Sequence, residues 1–196
     1  MPIELLLAWL VGYLLGSIPF GLILTRLAGK GDLRAIGSGN IGATNVLRSG
    51  SKGLAAATLI LDALKGAAAV LIARWLWPGT ESFAAAGALI GHLYPVWLRF
   101  RGGKGVATLL GILVVLLPIA GAVYALVWVA MLLIVRISSV AGMAAAVSAP
   151  ITAAVLGADT YFPMLLGFAL LVLWMHRANI VRLKAGREPR IGKSAG

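Results

Sequence analysis

Long apolar runs, each broken by a short patch of charge, Gly or Pro, follow one another along the whole chain. A helix needs about 20 apolar residues to cross the hydrocarbon of a bilayer. On that criterion the pattern predicts seven spans, at residues 3–25, 53–77, 82–98, 105–117, 119–135, 138–157 and 160–176. The fourth and fifth come from one long run containing Pro118 and Gly121. That run reads either as one bent span plus an interfacial piece or as two short spans joined by a tight turn. Gly12 and Gly16, and likewise Gly87 and Gly91, stand at the Gly-x-x-x-Gly spacing that lets helix backbones approach closely in lipid.

Charge chooses between six and seven spans. Of 17 Lys and Arg residues, 15 fall in four groups, at 26–52, 99–104, Arg136 and 177–193. The intervening connections, residues 1–4, 78–81, 117–120 and 157–160, contain no Lys or Arg. Counting the long run as two spans brings all four groups to one side, which the positive-inside rule makes the cytoplasm. The expected architecture is all-α and polytopic, with seven transmembrane helices, two of them short, N-terminus outside and C-terminus cytoplasmic. Residues 1–196 are expected to form a single domain. The first run has no basic segment before it and no small-residue cleavage site after it, so it reads as a retained helix instead of a signal peptide.

Composition narrows the chemistry. The 196 residues are 61% hydrophobic and 12% charged, which excludes an ordinary soluble domain. A net charge of +11 would suit nucleic acid if it lay along a soluble surface. Here the cations lie between apolar runs, where anionic headgroups or phosphorylated substrates are the counterions, and no nucleic-acid partner is expected. With no Cys and two His, no disulfide, thiol nucleophile, metal cluster or cofactor is expected.

The first basic group contains Gly37-Ser38-Gly39-Asn40-Ile41-Gly42-Ala43-Thr44-Asn45, followed by Arg48 and Lys52. Its glycines let the backbone fold back and aim N–H groups at one point, while Ser38, Asn40, Thr44 and Asn45 add neutral donors and Arg48 and Lys52 add charge. The loop suits a phosphate; the plain alternative is a flexible polar connector. In the second group, Gly102-Gly103-Lys104-Gly105 lacks the spacing and the preceding strand of a Walker loop, which excludes that kind of ATPase. Lys104 remains as a compact cation on a flexible turn beside a helix start, suited to neutralising a phosphate.

Within the spans, His92 lies in the last two turns of its helix, at a depth where an imidazole needs a polar partner or a wet cavity. Asp62 and Lys65 stand one turn apart near mid-span and can pair, either to fix packing or to serve a site. Ser138 and Ser139 follow Arg136, where a serine can cap the next helix. A helical tail would set His176, Asn179 and Arg182 about one turn apart along one side, the geometry of a site lining. Arg187, Arg190 and Lys193 read as a basic flank attracted to anionic lipid. The expected topology returns all four groups to the cytoplasmic boundary.

Several blocks in this order resemble a known family. They are Gly16-Ser17-Ile18-Pro19-Phe20, the loop from Gly37 to Asn45, Asp62-x-x-Lys65-Gly66, Gly91-His92-x-Tyr94-Pro95, Gly102-Gly103-Lys104-Gly105-Val106-Ala107-Thr108 and His176-Arg177-x-Asn179. Over essentially its full length the chain resembles the bacterial acyl-phosphate:glycerol-3-phosphate acyltransferases. The resemblance implies transfer of a fatty acyl group from acyl phosphate to the sn-1 hydroxyl of glycerol 3-phosphate, giving lysophosphatidic acid and phosphate. It also implies the bacterial inner membrane with lipid as surroundings; the topology expected above places the site on the cytoplasmic face, and no required protein partner is evident. The His-x-x-x-x-Asp motif of soluble-type glycerolipid acyltransferases is absent, because Trp97 and Val181 stand five residues after His92 and His176.

Acyl phosphate is an activated mixed anhydride, so direct attack by the glycerol hydroxyl needs no covalent acyl-enzyme. On this reading Ser38, Asn45, His92 and Lys104 are the catalytic candidates. Substrate binding is expected from Ser38, Gly39, Asn40, Gly42, Thr44, Asn45, Arg48, Lys52, Lys65, Gly103, Lys104, Ser138, Ser139, His176, Asn179 and Arg182. The hydroxyl proton goes either to His92 or to a phosphate oxygen of the acyl phosphate. The competing reading is a small membrane transporter for phosphate esters or anions. Against it stand the lack of an inverted repeat and the placing of the polar blocks on one face.

Overall fold

The structure, a computed structural model, describes residues 3–191, so Lys193 lies outside the described residues. Among those residues every regular element is helical: α1 (Ile3–Gly16), α2 (Phe20–Leu27), α3 (Ala43–Arg48), α4 (Lys52–Leu76), α5 (Glu81–Leu93), α6 (Val106–Leu116), α7 (Pro118–Val135), α8 (Ser138–Val155), α9 (Phe162–Met175) and α10 (Arg177–Lys184). The chain divides into two compact units between Leu116 and Leu117.

In the first unit the small residues face inward and many large apolar ones face outward. Ala8, Gly12 and Gly16 are the buried positions of α1, whereas Ile3, Leu10 and Leu14 are exposed. Lipid tails are as apolar as Leu, so burying Leu gains little there, and close backbone approach decides the packing. The two Gly-x-x-x-Gly pairs meet across α1 and α5. A Cβ on Gly12 or Gly16 would collide with the carbonyls of Ala84 and Ala88, and one on Gly87 or Gly91 with those of Trp9 and Tyr13. α4 and α6 use the same device, with Gly66 against the Thr108 carbonyl and Gly111 against that of Ala63.

The first apolar stretch, Ile3–Leu27, is long enough to cross a bilayer but is two helices. Pro19 has no N–H to give and disfavours the helical region for Ile18, so α1 ends before it and α2 begins after it. The break leaves carbonyls outside the regular helical hydrogen-bond pattern, and side chains supply donors to them. Trp97 Nε1 donates to the Ser17 carbonyl at 2.8 Å and Lys65 Nζ to the Ile18 carbonyl at 2.8 Å.

The remaining stretches long and apolar enough to cross are Lys52–Leu76, Pro118–Val135 and Ser138–Val155, and α9 with α10 qualifies as a pair bent by 57°. The predicted third span, 82–98, is shorter as a helix. Pro95 restricts Tyr94, α5 stops at Leu93, and the chain turns through Val96–Leu98. α6 has 11 residues, which at 1.5 Å per residue is about 16 Å. Leu117 separates it from α7, whose first residue is Pro118, where the missing N–H costs nothing. The long apolar run is therefore two helices.

The second unit packs α8 against α7 and α9. α8 buries Ala141, Ala145, Ala149 and Ala153, while Leu133 and Ile134 of α7 and Leu170 and Trp174 of α9 are exposed. The tail folds back after α10, and the Ile191 N–H donates to the Arg136 carbonyl at 2.7 Å.

Candidate active site

The 37–45 loop is closed around a buried amide. Asn45 is 1% exposed in the first unit. Its Nδ2 donates to the carbonyls of Leu33 at 3.0 Å and Ile36 at 2.9 Å, and its Oδ1 accepts the Ser38 N–H at 3.1 Å and the Ser38 hydroxyl at 3.5 Å. Both amide hydrogens are thus committed to holding the loop. Gly37 has φ +55°, and a Cβ there would stand 2.5 Å from Asn45 Oδ1, so both backbone angle and space require glycine. Asn40 Oδ1 accepts the Gly42 N–H at 2.9 Å, an Asx turn. The outcome is a scaffold that leaves Ser38, Gly39 and Arg48 exposed and Asn40, Gly42 and Thr44 half-buried. Lys52 is exposed at the start of α4, which Ser51 caps by accepting the Leu54 N–H at 3.3 Å. Asp32 supports the approach to the loop; hydrogen bonds from Arg34, with Arg26 also in contact, hold its carboxyl well below the usual carboxylate range.

The Lys104 turn folds back on the end of α5. The Gly103 N–H donates to the His92 carbonyl at 3.0 Å and the Gly102 N–H to the Leu93 carbonyl at 3.1 Å. A Cβ on Gly103 would run into the His92 imidazole, and one on Gly102 into the His92 carbonyl. The corner before the turn is strained, because Arg99 and Phe100 take φ of +51° and +59° without being glycine. Lys104 is half-buried beside the start of α6. His92 itself is 4% exposed, with Nδ1 3.8 Å from Asp62 Oδ1. Asp62 pairs with Lys65 at 2.7 Å, and both side chains are buried.

In the second unit, Ser139, Asn179 and Arg182 converge on Glu188. The Ser139 hydroxyl donates to Oε1 at 2.7 Å, Asn179 Nδ2 to Oε1 at 2.6 Å and Arg182 Nε to Oε2 at 2.7 Å. Burial pushes the Glu188 carboxyl up, but the three hydrogen bonds and the Arg182 charge outweigh it and leave the group below its ordinary value. His176 is buried at the α9–α10 bend, with Nδ1 2.8 Å from the Val172 carbonyl. Ser138 is half-buried at the first position of α8.

A loop of exposed donors, a turn carrying Lys104 and apolar helices around them agree with the family resemblance of the sequence. The glycerol-3-phosphate acyltransferase family model matches residues 6–186. The chain belongs to the glycerol-3-phosphate acyltransferase family. It is 64% identical over 190 residues to the glycerol-3-phosphate acyltransferase of Novosphingobium aromaticivorans, covering 97% of this chain and 96% of that one. It is 57% identical over 192 residues to that of Mesorhizobium japonicum, covering 98% of each. Among solved structures it is similar to PlsY (YgiH), an integral membrane glycerol 3-phosphate acyltransferase, in its glycerol 3-phosphate form, with TM-score 0.91, 39% identity and 96% of each chain covered. The lysophosphatidic acid form of PlsY matches with TM-score 0.88 and 38% identity, covering 96% of this chain and 95% of that one. As a member of this acyltransferase family the chain is an enzyme of the membrane, and the transporter reading is not favoured.

Within the first unit the structure gathers the loop candidates around Asn45 and sets Gly103, the residue before Lys104, against His92. Within the second it gathers Ser139, Asn179 and Arg182. Sequence reasoning missed Glu188 as their common acceptor. Its one signal was that it is the sole acidic residue among the basic residues of 177–193. Helical spacing could not find it, because α10 ends at Lys184 and the tail folds back.

Proposed function

We propose that this acyltransferase moves a fatty acyl group from acyl phosphate to the sn-1 hydroxyl of glycerol 3-phosphate, releasing lysophosphatidic acid and inorganic phosphate. The observation that carries the reading is the match, over nearly the whole of both chains, to one acyltransferase in a glycerol 3-phosphate form and a lysophosphatidic acid form. The chain acts as one domain over residues 1–196. Ser38, Gly39, Asn40, Gly42, Thr44, Arg48 and Lys52, with Gly103 and Lys104, bind the phosphate groups, and Asn45 keeps their loop closed. Ser138, Ser139, His176, Asn179 and Arg182 complete the proposed substrate-binding set, and a phosphate reaching Ser139, Asn179 and Arg182 has to displace the Glu188 carboxylate that they hold.

The chemistry is direct attack. The glycerol oxygen bonds to the acyl carbon, the bond from that carbon to the phosphate oxygen breaks, and the hydroxyl proton leaves with the phosphate. Burial of His92 at 4% exposure supports the phosphate oxygen as the proton acceptor. Loop N–H groups and the Lys104 charge stabilise the developing negative charge. The test is phosphate release by purified protein in detergent. Release from acyl phosphate that requires glycerol 3-phosphate and yields lysophosphatidic acid is expected; equal turnover with acyl-CoA, or none, would overturn the donor assignment.

The protein belongs, on this proposal, to the bacterial inner membrane, with seven spans, the N-terminus outside and the site and C-terminus on the cytoplasmic side. Fifteen of the 17 Lys and Arg residues in four groups support it. The chain has no Cys, so single cysteines report topology directly. In intact cells an impermeant maleimide is expected to label Asp159→Cys and not Lys30→Cys, and the reverse pattern would invert the orientation.

A further inference from the structure

We infer that Asp62, Lys65 and His92 are positioning residues that set the pose of the Gly102–Lys104 turn, with the His92 imidazole as the part that touches it. The inference rests on reading that turn as part of the acyltransferase site, and it moves Lys65 and His92 out of direct contact with substrate.

Lys65 first. Its ammonium lies 2.7 Å from Asp62 Oδ1, donates to the Ile18 carbonyl at 2.8 Å and sits 5.8 Å from the centroid of the Phe20 ring. A cation held by a carboxylate, a carbonyl and a ring face, with its side chain 2% exposed, is poorly placed to take a phosphate. What it does hold is the broken end of α1. The same end is tied to the segment leading into the turn, since Trp97 donates to the Ser17 carbonyl at 2.8 Å and the Tyr13 hydroxyl to the Tyr94 carbonyl at 2.9 Å.

From Lys65 the contacts run on to the turn. The ammonium pairs with Asp62 Oδ1 at 2.7 Å, and on the far side of that oxygen lies His92 Nδ1, which is buried. The two atoms face each other at 3.8 Å. A carboxylate on that side favours the tautomer with the proton on Nδ1, an assignment made from the facing charge. Nε2 then stands against Gly103, so close that a Cβ there has no room. The backbone of His92 holds the same residue, through the Gly103 N–H. Ring and carbonyl together fix Gly103, and Lys104 is the next residue. A charge pair buried in a spanning helix is costly, and bracing a turn that must present a cation accurately gives it a use that an apolar pair could not supply.

Two measurements on the full-length protein in detergent test this. The first is kinetic coupling. Gly103→Ala drives a methyl against the imidazole, and kcat/KM for glycerol 3-phosphate is expected to fall about 100-fold, while His92→Ala costs about tenfold, in KM for glycerol 3-phosphate and not for acyl phosphate. In the double variant the methyl takes the space of the ring, so kcat/KM is expected to exceed the product of the single losses by about tenfold. Losses that simply multiply, or a His92→Ala defect shared by both substrates, overturn the inference.

The second is ¹⁵N NMR of the imidazoles, which needs no turnover. The chain has two His, and a His176→Gln sample serves for assignment. His92 is expected to carry its proton on Nδ1, and Asp62→Asn paired with Lys65→Met is expected to lose that preference; an unchanged tautomer overturns the role of Asp62. Wild-type turnover separately tests the acyltransferase reading, so a failed network and a failed reaction give different results.

Discussion

Asp62 and Glu188 are both buried carboxylates, with side chains 4% and 3% exposed, yet they are satisfied in different ways. Glu188 collects a hydroxyl, an amide and a guanidinium, all within 2.7 Å, from α8 and α10. Asp62 has one ammonium three residues along its own helix and an imidazole held at 3.8 Å. A tail beyond the apolar helices is free to fold until its carboxylate meets every donor. A residue inside a packed helix takes whatever neighbours the helix faces deliver, and α4 supplies its own counterion. The first arrangement stabilises; the second is a poised charge that must be useful elsewhere to persist.

The strongest way to break this comparison is Asp62→Ala, which leaves the Lys65 ammonium buried without its counterion. Stability is expected to fall by about 3–5 kcal/mol, and Asp62→Asn with Lys65→Met should recover most of it. Thermal unfolding in detergent reads both, and a single variant as stable as wild type would show that the pair is not desolvated. Glu188→Ala strands three donors, but Arg182 is 35% exposed and can turn to water, so the expected loss is smaller, about 2–3 kcal/mol.

Asn45→Ala extends the contrast to a neutral group. It removes the two donor bonds that close the 37–45 loop, and about 2 kcal/mol is expected, together with a raised KM for glycerol 3-phosphate. A fourth expectation follows from protonation. The folded Glu188 carboxyl lies below its ordinary value of 4.5, so the native state binds fewer protons than the unfolded chain in that range. Its stabilisation is complete above pH 4.5 and is lost as pH falls through the lower, folded value. Thermal midpoints measured from neutral pH downward should therefore drop more in wild type than in Glu188→Gln. The smallest effect belongs to Asp32→Asn. Its carboxylate pairs with Arg34 and Arg26 in solvent, and no resolvable shift of the thermal midpoint is expected.

Much of this molecule was legible before folding. Apolar run length and the two Gly-x-x-x-Gly pairs are local signals, and helix existence and close packing follow from them, whereas the single span expected at 3–25 is broken at Pro19 into two helices. The pairing of Asp62 with Lys65 was legible too, since residues three apart share a helix face. The end of α5 was misjudged because Leu93 to Leu98 continues the apolar pattern while Pro95 breaks the backbone. Asn45 read as a donor for substrate because residue type alone cannot say whether its hydrogens are already taken.

Sequence by itself determined that the chain is a set of apolar helices joined by cationic, glycine-rich connections, and which residue types stand ready for phosphate. Tertiary structure alone decided which of those groups are committed to the protein. Lys65 meets a carbonyl 47 residues away, Asn45 closes on carbonyls 9 and 12 residues back, and Ser139 shares a carboxylate 49 residues on. The physical reason is range. Hydrophobic period and helix spacing report neighbours within a turn or two, whereas a buried polar group finds its partner only when packing has brought distant segments together.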